Sequence, residues 1–264
     1  MNLNLTERIT SRKNPTVLKA AKLHDRKYRE ASGTFSIEGI KLFEEAVAAR
    51  ADIKAVFATE SAIEKYSDVI GKCNSCPIYS VTDEVFEKLS TESAPQGIYA
   101  VCGFYSPESK PESENPCALI LDEVCDPGNI GTIIRCADAF GIDCVYIGER
   151  SADIYNPKTV RACMGSLFRV RTEKCDATAK IAKLREEGYR VYAAMLDERA
   201  VDVRSIDTRG KVGFVIGNEG HGISPEVAGA CSGSIIIPMS GGTQSLNAAI
   251  AASLLMWEAA KVRL

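Results

Sequence analysis

Two histidines, His24 and His221, are all that a chain of 264 residues carries. A His–carboxylate relay, or a metal site built from several imidazoles, is therefore poorly supported. No apolar run reaches the roughly 18 residues that a membrane helix needs. Residues 1–12 are polar and lack the apolar core of a secretory signal. A cytoplasmic protein with no membrane association is expected. No G-x-G-x-x-G opens a helix after the apolar strand at 117–121, and no Walker lysine follows a glycine loop, which counts against a nucleotide-dependent oxidoreductase. Cys73 and Cys76 have metal-ligand spacing but no second Cys or His pair beside them, so no metal is expected. The ten cysteines fall mostly inside apolar segments, as Cys102, Cys117, Cys136 and Cys144 do. They read as small buried hydrophobes of a reducing compartment.

What is present fits two domains. The length suits two better than one, and 45% hydrophobic with 25% charged residues is ordinary for a globular chain. The net charge is −3, but basic residues cluster early. Arg8, Arg12, Lys13, Lys19, Lys22, Arg26, Lys27 and Arg29 stand against Asp25 alone. Such a stripe reads equally as a solvated helix face or as the footprint of a phosphate backbone.

Periodicity predicts helices over 14–29, 40–50, 61–70 and 82–89 and strands over 34–38, 53–59, 77–81 and 98–105. Residues 1–105 therefore form a small α/β domain. Residues 106–116 hold three prolines and almost nothing apolar, which marks a linker. In 117–264, strands at 117–121, 142–147, 168–170, 189–195, 211–216 and 234–239 alternate with helices. The expected architecture is a parallel sheet with helices on both faces.

Three stretches can carry chemistry. In Asn129–Arg135, Asn129 is placed to cap a helix, Gly131 admits a close backbone, and Arg135 is either an ion-pair member or a clamp for phosphate or carboxylate. In Gly217–Gly222, a strand empties into a glycine loop that holds Glu219, which suits an orienting acceptor or a base. In Ile237–Asn247, Pro238 stops a strand, and Ser245 or Asn247 opens the final helix. Glycine-lined loops at strand ends are where an α/β protein holds a small ligand.

Together these stretches resemble the SpoU (TrmH-type) family of RNA ribose methyltransferases. The matching motifs are N-x-G-x-x-x-R at 129–135, G-N-E-G-x-G-I at 217–223 and I-P-M-x-G-x-x-x-S-L-N at 237–247. The segment Asn156-Pro157-Lys158-x-x-Arg161-x-x-Met164-Gly165 is also similar to that family, with Cys163 where serine or alanine is expected. The first domain resembles the family's substrate-binding domain, akin to a small RNA-binding ribosomal protein, at Ser11–Asn14, Phe35-x-x-Glu38-Gly39 and Pro95-Gln96-Gly97.

The resemblance implies S-adenosyl-L-methionine-dependent methylation of a ribose 2′-hydroxyl, with ribosomal RNA favoured over transfer RNA. It implies a trefoil knot over about 212–264, with the cofactor held by Ile216, Gly217, Gly220, Ile237, Met239 and Leu246. Catalytic roles fall to Asn129, Arg135, Glu219, Ser245 and Asn247. RNA contacts fall to Arg8, Arg12, Lys13, Asn14, Glu38, Gln96 and Arg161. A homodimer through the second domain is implied, with the final helix in its interface and Arg135 completing the partner's site. Because a guanidinium does not give up its proton, Arg135 is expected to clamp the neighbouring phosphate. A non-catalytic RNA-binding protein of the same fold, and a base nitrogen as methyl acceptor, are the competing readings.

Overall fold

Side-chain caps punctuate the chain. Asn14, Asp25, Thr59, Thr82, Asp126, Asn156, Asp176, Ser224 and Asn247 each accept a backbone N–H at the start of a helix. Pro15, Pro127, Pro157 and Pro225 occupy first-turn positions, where a missing N–H costs nothing. The computed structural model describes residues 5–73, 76–105, 107, 113–242 and 245–262. Residues 106 and 108–112 of the expected linker, and 243–244 of the last motif, lie outside the described residues.

Two compact units result: Met1–Ser106 with Asp153–Phe168, and Pro107–Ala152 with Arg169–Leu264. In chain order the first unit contains β1 (Glu7–Ile9), α1 (Pro15–Ala21), α2 (Arg26–Ser32), β2 (Thr34–Glu38), α3 (Ile40–Ala48), β3 (Ile53–Thr59), α4 (Glu60–Ile70), β4 (Ile78–Val81), α5 (Asp83–Leu89) and β5 (Ile98–Gly103). Then come β6 (Cys117–Leu121), α6 (Pro127–Ala139) and β7 (Cys144–Gly148) of the second unit. The chain adds α7 (Pro157–Ala162) to the first unit and ends in β8 (Thr172–Cys175), α8 (Ala177–Glu186), β9 (Arg190–Ala194), β10 (Val201–Asp202), β11 (Val212–Ile216), α9 (Pro225–Ala230), β12 (Gly233–Ile236) and α10 (Ala248–Ala260).

The first sheet runs β1-β4-β3-β5-β2, with β5 antiparallel to both neighbours. Ile9, Val17, Phe57, Phe86, Leu89 and Tyr99 join α1 and α5 to it in one buried cluster. The segment 153–168, placed by sequence with the second domain, packs here. Arg29 is buried at 2% side-chain exposure, and Asp153 meets it through two bonds of 2.9 and 2.7 Å. Its Nη1 donates to the Leu23 and His24 carbonyls. A buried guanidinium needs that counter-charge. Tyr155 and Phe168 lie 4.6 and 6.3 Å from Phe35, ring centre to ring centre. Arg29 is therefore no part of a solvent-facing basic stripe.

The second sheet runs β10-β12-β9-β11-β6-β7-β8, and every pair in it is parallel. β6, β7 and β11 are buried at all five positions, as strands covered on both faces must be. Ala118, Ile120, Tyr146, Val191 and Val215 meet Ile181 and Leu184 of α8 and Val227 of α9. Helix α10 packs on α6, β6 and β11.

Several expectations shift. The helix over 14–29 is two, because Asp25 is extended (φ −96°, ψ 130°) and caps α2 through the Lys27 N–H. The strand over 168–170 is instead a 3-10 turn, Ser166–Phe168, before β8; a short buried apolar run does not distinguish the two. Helix α6 begins at Pro127 under an Asp126 cap, so Asn129 is not its cap. β1, β10 and α9 are additional.

Candidate active site

All the loops concerned leave the carboxyl ends of strands in the second unit. After β6, Asp122 is buried and accepts the Ser224 N–H at 2.8 Å. Asp126 takes the Asn129 N–H at 2.9 Å. Since Asp126 caps α6, the Asn129 amide is free to work elsewhere.

After β11 the chain folds back on itself. Asn218 and Gly222 exchange backbone bonds of 2.9 and 3.0 Å. A Cβ on Gly217 would lie 2.3 Å from the Gly222 carbonyl carbon and 2.4 Å from the Ile223 nitrogen. Both are backbone atoms that cannot yield, so the position admits only glycine. Asn218 accepts the Gly220 N–H at 2.8 Å and donates to the Glu123 carbonyl at 2.8 Å. The loop is thus tied to the one after β6.

Glu219 stands at the tip of this loop. Its carboxylate accepts Asn129 Nδ2 at 2.8 Å and the backbone N–H groups of Cys125 and Asp126 at 3.3 and 3.4 Å. Asn129 Oδ1 in turn accepts Asn247 Nδ2 at 3.0 Å. Asn247 Oδ1 caps α10 by accepting the Ala249 and Ile250 N–H groups at 2.9 and 3.3 Å. The amide orientations follow from chemistry. A carboxylate and a pair of backbone N–H groups fix which end of each asparagine faces them, and the middle bond then closes donor to acceptor. Burial raises the Glu219 pKa, but the bonds from Asn129 and the two backbone N–H groups outweigh it and hold the carboxyl below its ordinary value. Glu219 is therefore an ionised acceptor.

A cleft of about 440 Å³ opens beside this chain of bonds. All six residues expected to hold a cofactor line it, namely Ile216, Gly217, Gly220, Ile237, Met239 and Leu246, and so do Glu219 and Ser245. Sequence reasoning missed Met195 and Leu196 at the end of β9. Only the strand order, which seats β9 between β11 and β12, brings them in. Asn129 and Asn247 reach the cleft through Glu219. Arg135 does not line it. It lies on the exposed face of α6, with no hydrogen bond or ion pair to a described residue.

The expected RNA contacts sit in the first unit and mostly have local partners. Asn14 caps α1 through the Thr16 N–H at 2.8 Å. Glu38 accepts the Ser90 hydroxyl and the Thr91 N–H. Gln96 accepts the Ile40 N–H at 3.0 Å. Arg8 pairs with Glu60 at 2.7 Å, and Arg161 with Glu92 and Thr91. Arg12 and Lys13 are exposed. Cys73 and Cys76 hold their sulfurs 3.4 Å apart, and no metal-suited group of three or more ligands occurs among the described residues. No described helix is long and apolar enough to cross a membrane.

An all-parallel sheet with glycine loops at its carboxyl edge, and a carboxylate linked through Asn129 to Asn247, match the SPOUT-type methyltransferases with an added substrate-binding domain. The chain belongs to the SpoU rRNA methylase family, whose model matches residues 116–257, while an MRM3-like substrate binding domain matches 14–100. It is an RNA methyltransferase whose cofactor is S-adenosyl-L-methionine. It is similar to the 23S rRNA (guanosine(2553)-2′-O)-methyltransferase RlmP of Bacillus subtilis (strain 168), 33% identical over 252 residues, 95% of this chain and 98% of that one. The AdoMet-bound rRNA methyltransferase from Sinorhizobium meliloti superposes with a TM-score of 0.87 at 30% identity, covering 97% of this chain and 98% of the other. The SpoU methyltransferase AviRb from Streptomyces viridochromogenes, in complex with AdoMet, gives 0.85 at 25% identity over 95% and 98%. The residues present suit the cofactor. Ile216, Ile237, Met239 and Leu246 offer apolar walls, and the glycine loop leaves backbone groups facing the cleft.

Proposed function

We propose that this chain methylates a ribose 2′-hydroxyl and that the RNA is ribosomal. The observation that carries this reading is the Glu219–Asn129–Asn247 chain at the lip of the cofactor cleft. Bound in the cleft, S-adenosyl-L-methionine supplies a sulfonium methyl group as electrophile. Ile216, Gly217, Gly220, Ile237, Met239 and Leu246 would hold it. A ribose hydroxyl is a weak nucleophile, so the protein must fix its direction and ease its proton away. Asn129 and Asn247 each keep one amide hydrogen beyond those used in the chain. With the Glu219 carboxylate and the Ser245 hydroxyl, these can hold a hydroxyl in a single direction.

The names of the relatives that act on 23S rRNA support the ribosomal substrate, and a cytoplasmic location goes with it. Of the expected RNA contacts, Arg12 and Lys13 are exposed and, unlike Arg8 and Arg161, have no ion pair with a described residue, so they carry that role best. Ile250, Leu254 and Trp257 form an exposed apolar row on α10, and Trp257 lies 5.8 Å from Phe140, ring centre to ring centre. A homodimer closing on this row would cover it and would bring Arg135 to the partner's cleft as a phosphate clamp. The trefoil knot over about 212–264 is part of the same reading, on the strength of the family to which the chain belongs.

The test is methyl transfer from labelled S-adenosyl-L-methionine to unmodified ribosomal RNA, followed by mapping of 2′-O-methyl positions. A single strong site in the large-subunit RNA is expected. Label on a base nitrogen, or none on RNA, would refute the ribose reading.

A further inference from the structure

One residue beside the cleft is held in a backbone conformation that its type disfavours. Glu123 has φ 59°, in the left-handed region, one of three non-glycine residues so placed among those described. Glycine would take that conformation without cost. Strain kept by a non-glycine residue points to a use for its side chain.

That side chain is largely covered, at 18% exposure, and meets Arg150 and His221. Glu123 Oε1 meets Arg150 Nη1 at 2.6 Å, and Oε2 lies 3.5 Å from His221 Nε2. His221 lines the cleft and follows Glu219 by two residues. The Arg150 side chain is 80% exposed and bonds to no other described residue. One edge of its guanidinium is thus held, and its other donors face solvent.

The mounting is stiff. A Cβ on Gly148 would lie 2.6 Å from the Leu121 carbonyl oxygen, so β7 ends hard against β6. Ser151 Oγ donates to that carbonyl at 3.2 Å and accepts the Val124 N–H at 3.2 Å. The Ala152 N–H reaches the Val124 carbonyl at 2.9 Å. The Glu123 carbonyl accepts Asn218 Nδ2, which ties the same point to the glycine loop.

We infer that Arg150, held by Glu123 with His221 beside it, is a binding site for a backbone phosphate of the substrate RNA at the rim of the methyl-transfer cleft. The inference rests on the RNA-methylation reading. It adds a cation from this chain's own cleft, where Arg135 was expected from a partner. Guanidinium suits the role because a planar fork meets two phosphate oxygens at once, and an arginine already held at one edge loses less freedom on binding. Glu123 is then a positioning residue.

The experiment uses the full chain and an in vitro transcribed 23S rRNA. Binding is measured across a salt series by filter retention, and methyl transfer gives KM and kcat. Arg150→Met is expected to raise KM for RNA about tenfold with little change in kcat, and to reduce the slope of log affinity against log salt by about 0.7 to 0.9, one phosphate's worth. Cofactor affinity should be unchanged. In a Glu123→Gly background, Arg150→Met should add less than twofold, because an unheld guanidinium contributes little. An unchanged salt slope in Arg150→Met overturns the inference, as does a loss confined to cofactor affinity. Equal effects of Arg150→Met in both backgrounds would remove Glu123 from the role. A wild-type protein that binds the transcript but transfers no methyl group refutes the ribose reading alone, and the salt slope still decides on Arg150. Failure of the wild type to bind the transcript overturns both.

Discussion

Asn129→Asp changes one atom in the chain of bonds that defines the site. The amide that donates to Glu219 Oε1 at 2.8 Å becomes a carboxylate facing a carboxylate. The lost charge-assisted bond contributes about 1.5–3 kcal/mol when sheltered. Two like charges near 4 Å cost between about 1 kcal/mol in water and about 4 kcal/mol at a protein surface. Glu219 is solvent-exposed, so the lower part of each range applies, and a net loss of about 1–3 kcal/mol is expected. For a unit of this size that is a fall in Tm of about 3–10 °C.

The pH dependence carries a sign. In the wild type the Glu219 pKa is lowered on folding. Its bonds therefore contribute stability that is present above the unfolded value and lost as pH falls through the folded one. In Asn129→Asp, two facing carboxylates raise a folded pKa instead. That penalty is full at neutral pH and fades as pH falls and the pair takes up a proton. Scanning calorimetry of both proteins between pH 8 and about pH 4 should show the two curves converging toward acid. A constant gap, or no gap at neutral pH, would mean that the Glu219–Asn129 bond is absent in solution.

Further outcomes follow from single contacts. Gly217→Ala places a Cβ 2.3 Å from backbone, so the loop must open, and calorimetric titration should find cofactor binding weakened at least tenfold with the sheet intact by circular dichroism. Asp153→Ala leaves Arg29 buried without its counter-charge and should cost about 3–5 kcal/mol in urea unfolding. Leu254→Glu sets a charge into the exposed apolar row of α10; if that row closes the proposed homodimer, sedimentation should shift from dimer to monomer, with activity lost alongside. Arg135→Lys, which keeps the charge but loses the fork, should retain measurable methyl transfer; complete loss with intact cofactor and RNA binding would refute a charge role.

The cleft was legible because its signals are local. Gly217 and Gly220, Pro238 and the Ser245-Leu246-Asn247 triplet sit where apolar strands end, and a parallel sheet gathers those ends along one edge. Asn129 was placed in the right loop, but the capping expected of it belongs to Asp126, since both are acceptable caps and sequence alone does not decide between them. Arg29 looked like one cation in a stripe, because nothing in 8–29 reveals that Asp153, 124 residues later, comes to meet it. The same distance hides the packing of 153–168 on the first unit. β10 is two residues long, too short for any periodicity.

If the acceptor is a ribose hydroxyl, as proposed, the geometry also limits how its proton can leave. Glu219 is held below the ordinary carboxylate pKa, which keeps it ionised and able to accept a hydrogen bond but makes it a poor base toward a hydroxyl. Asn129 and Asn247 cannot relay the proton onward. Each amide is locked by its partners, and passing a proton through either would require an imidic acid form in which Asn129 Nδ2 no longer donates to Glu219, or Asn247 Oδ1 no longer accepts two helix N–H groups. The three residues can therefore orient the hydroxyl and direct its lone pair, but they do not accept its proton for long. A cation at the adjacent phosphate then has the larger chemical effect, because it stabilises the developing alkoxide without moving a proton itself. On this account, removing Glu219's charge should cost far less in turnover than removing its hydrogen-bonding capacity. Glu219→Gln should keep more activity than Glu219→Ala, and a Glu219→Gln variant as inactive as the alanine would return the carboxylate to the role of base.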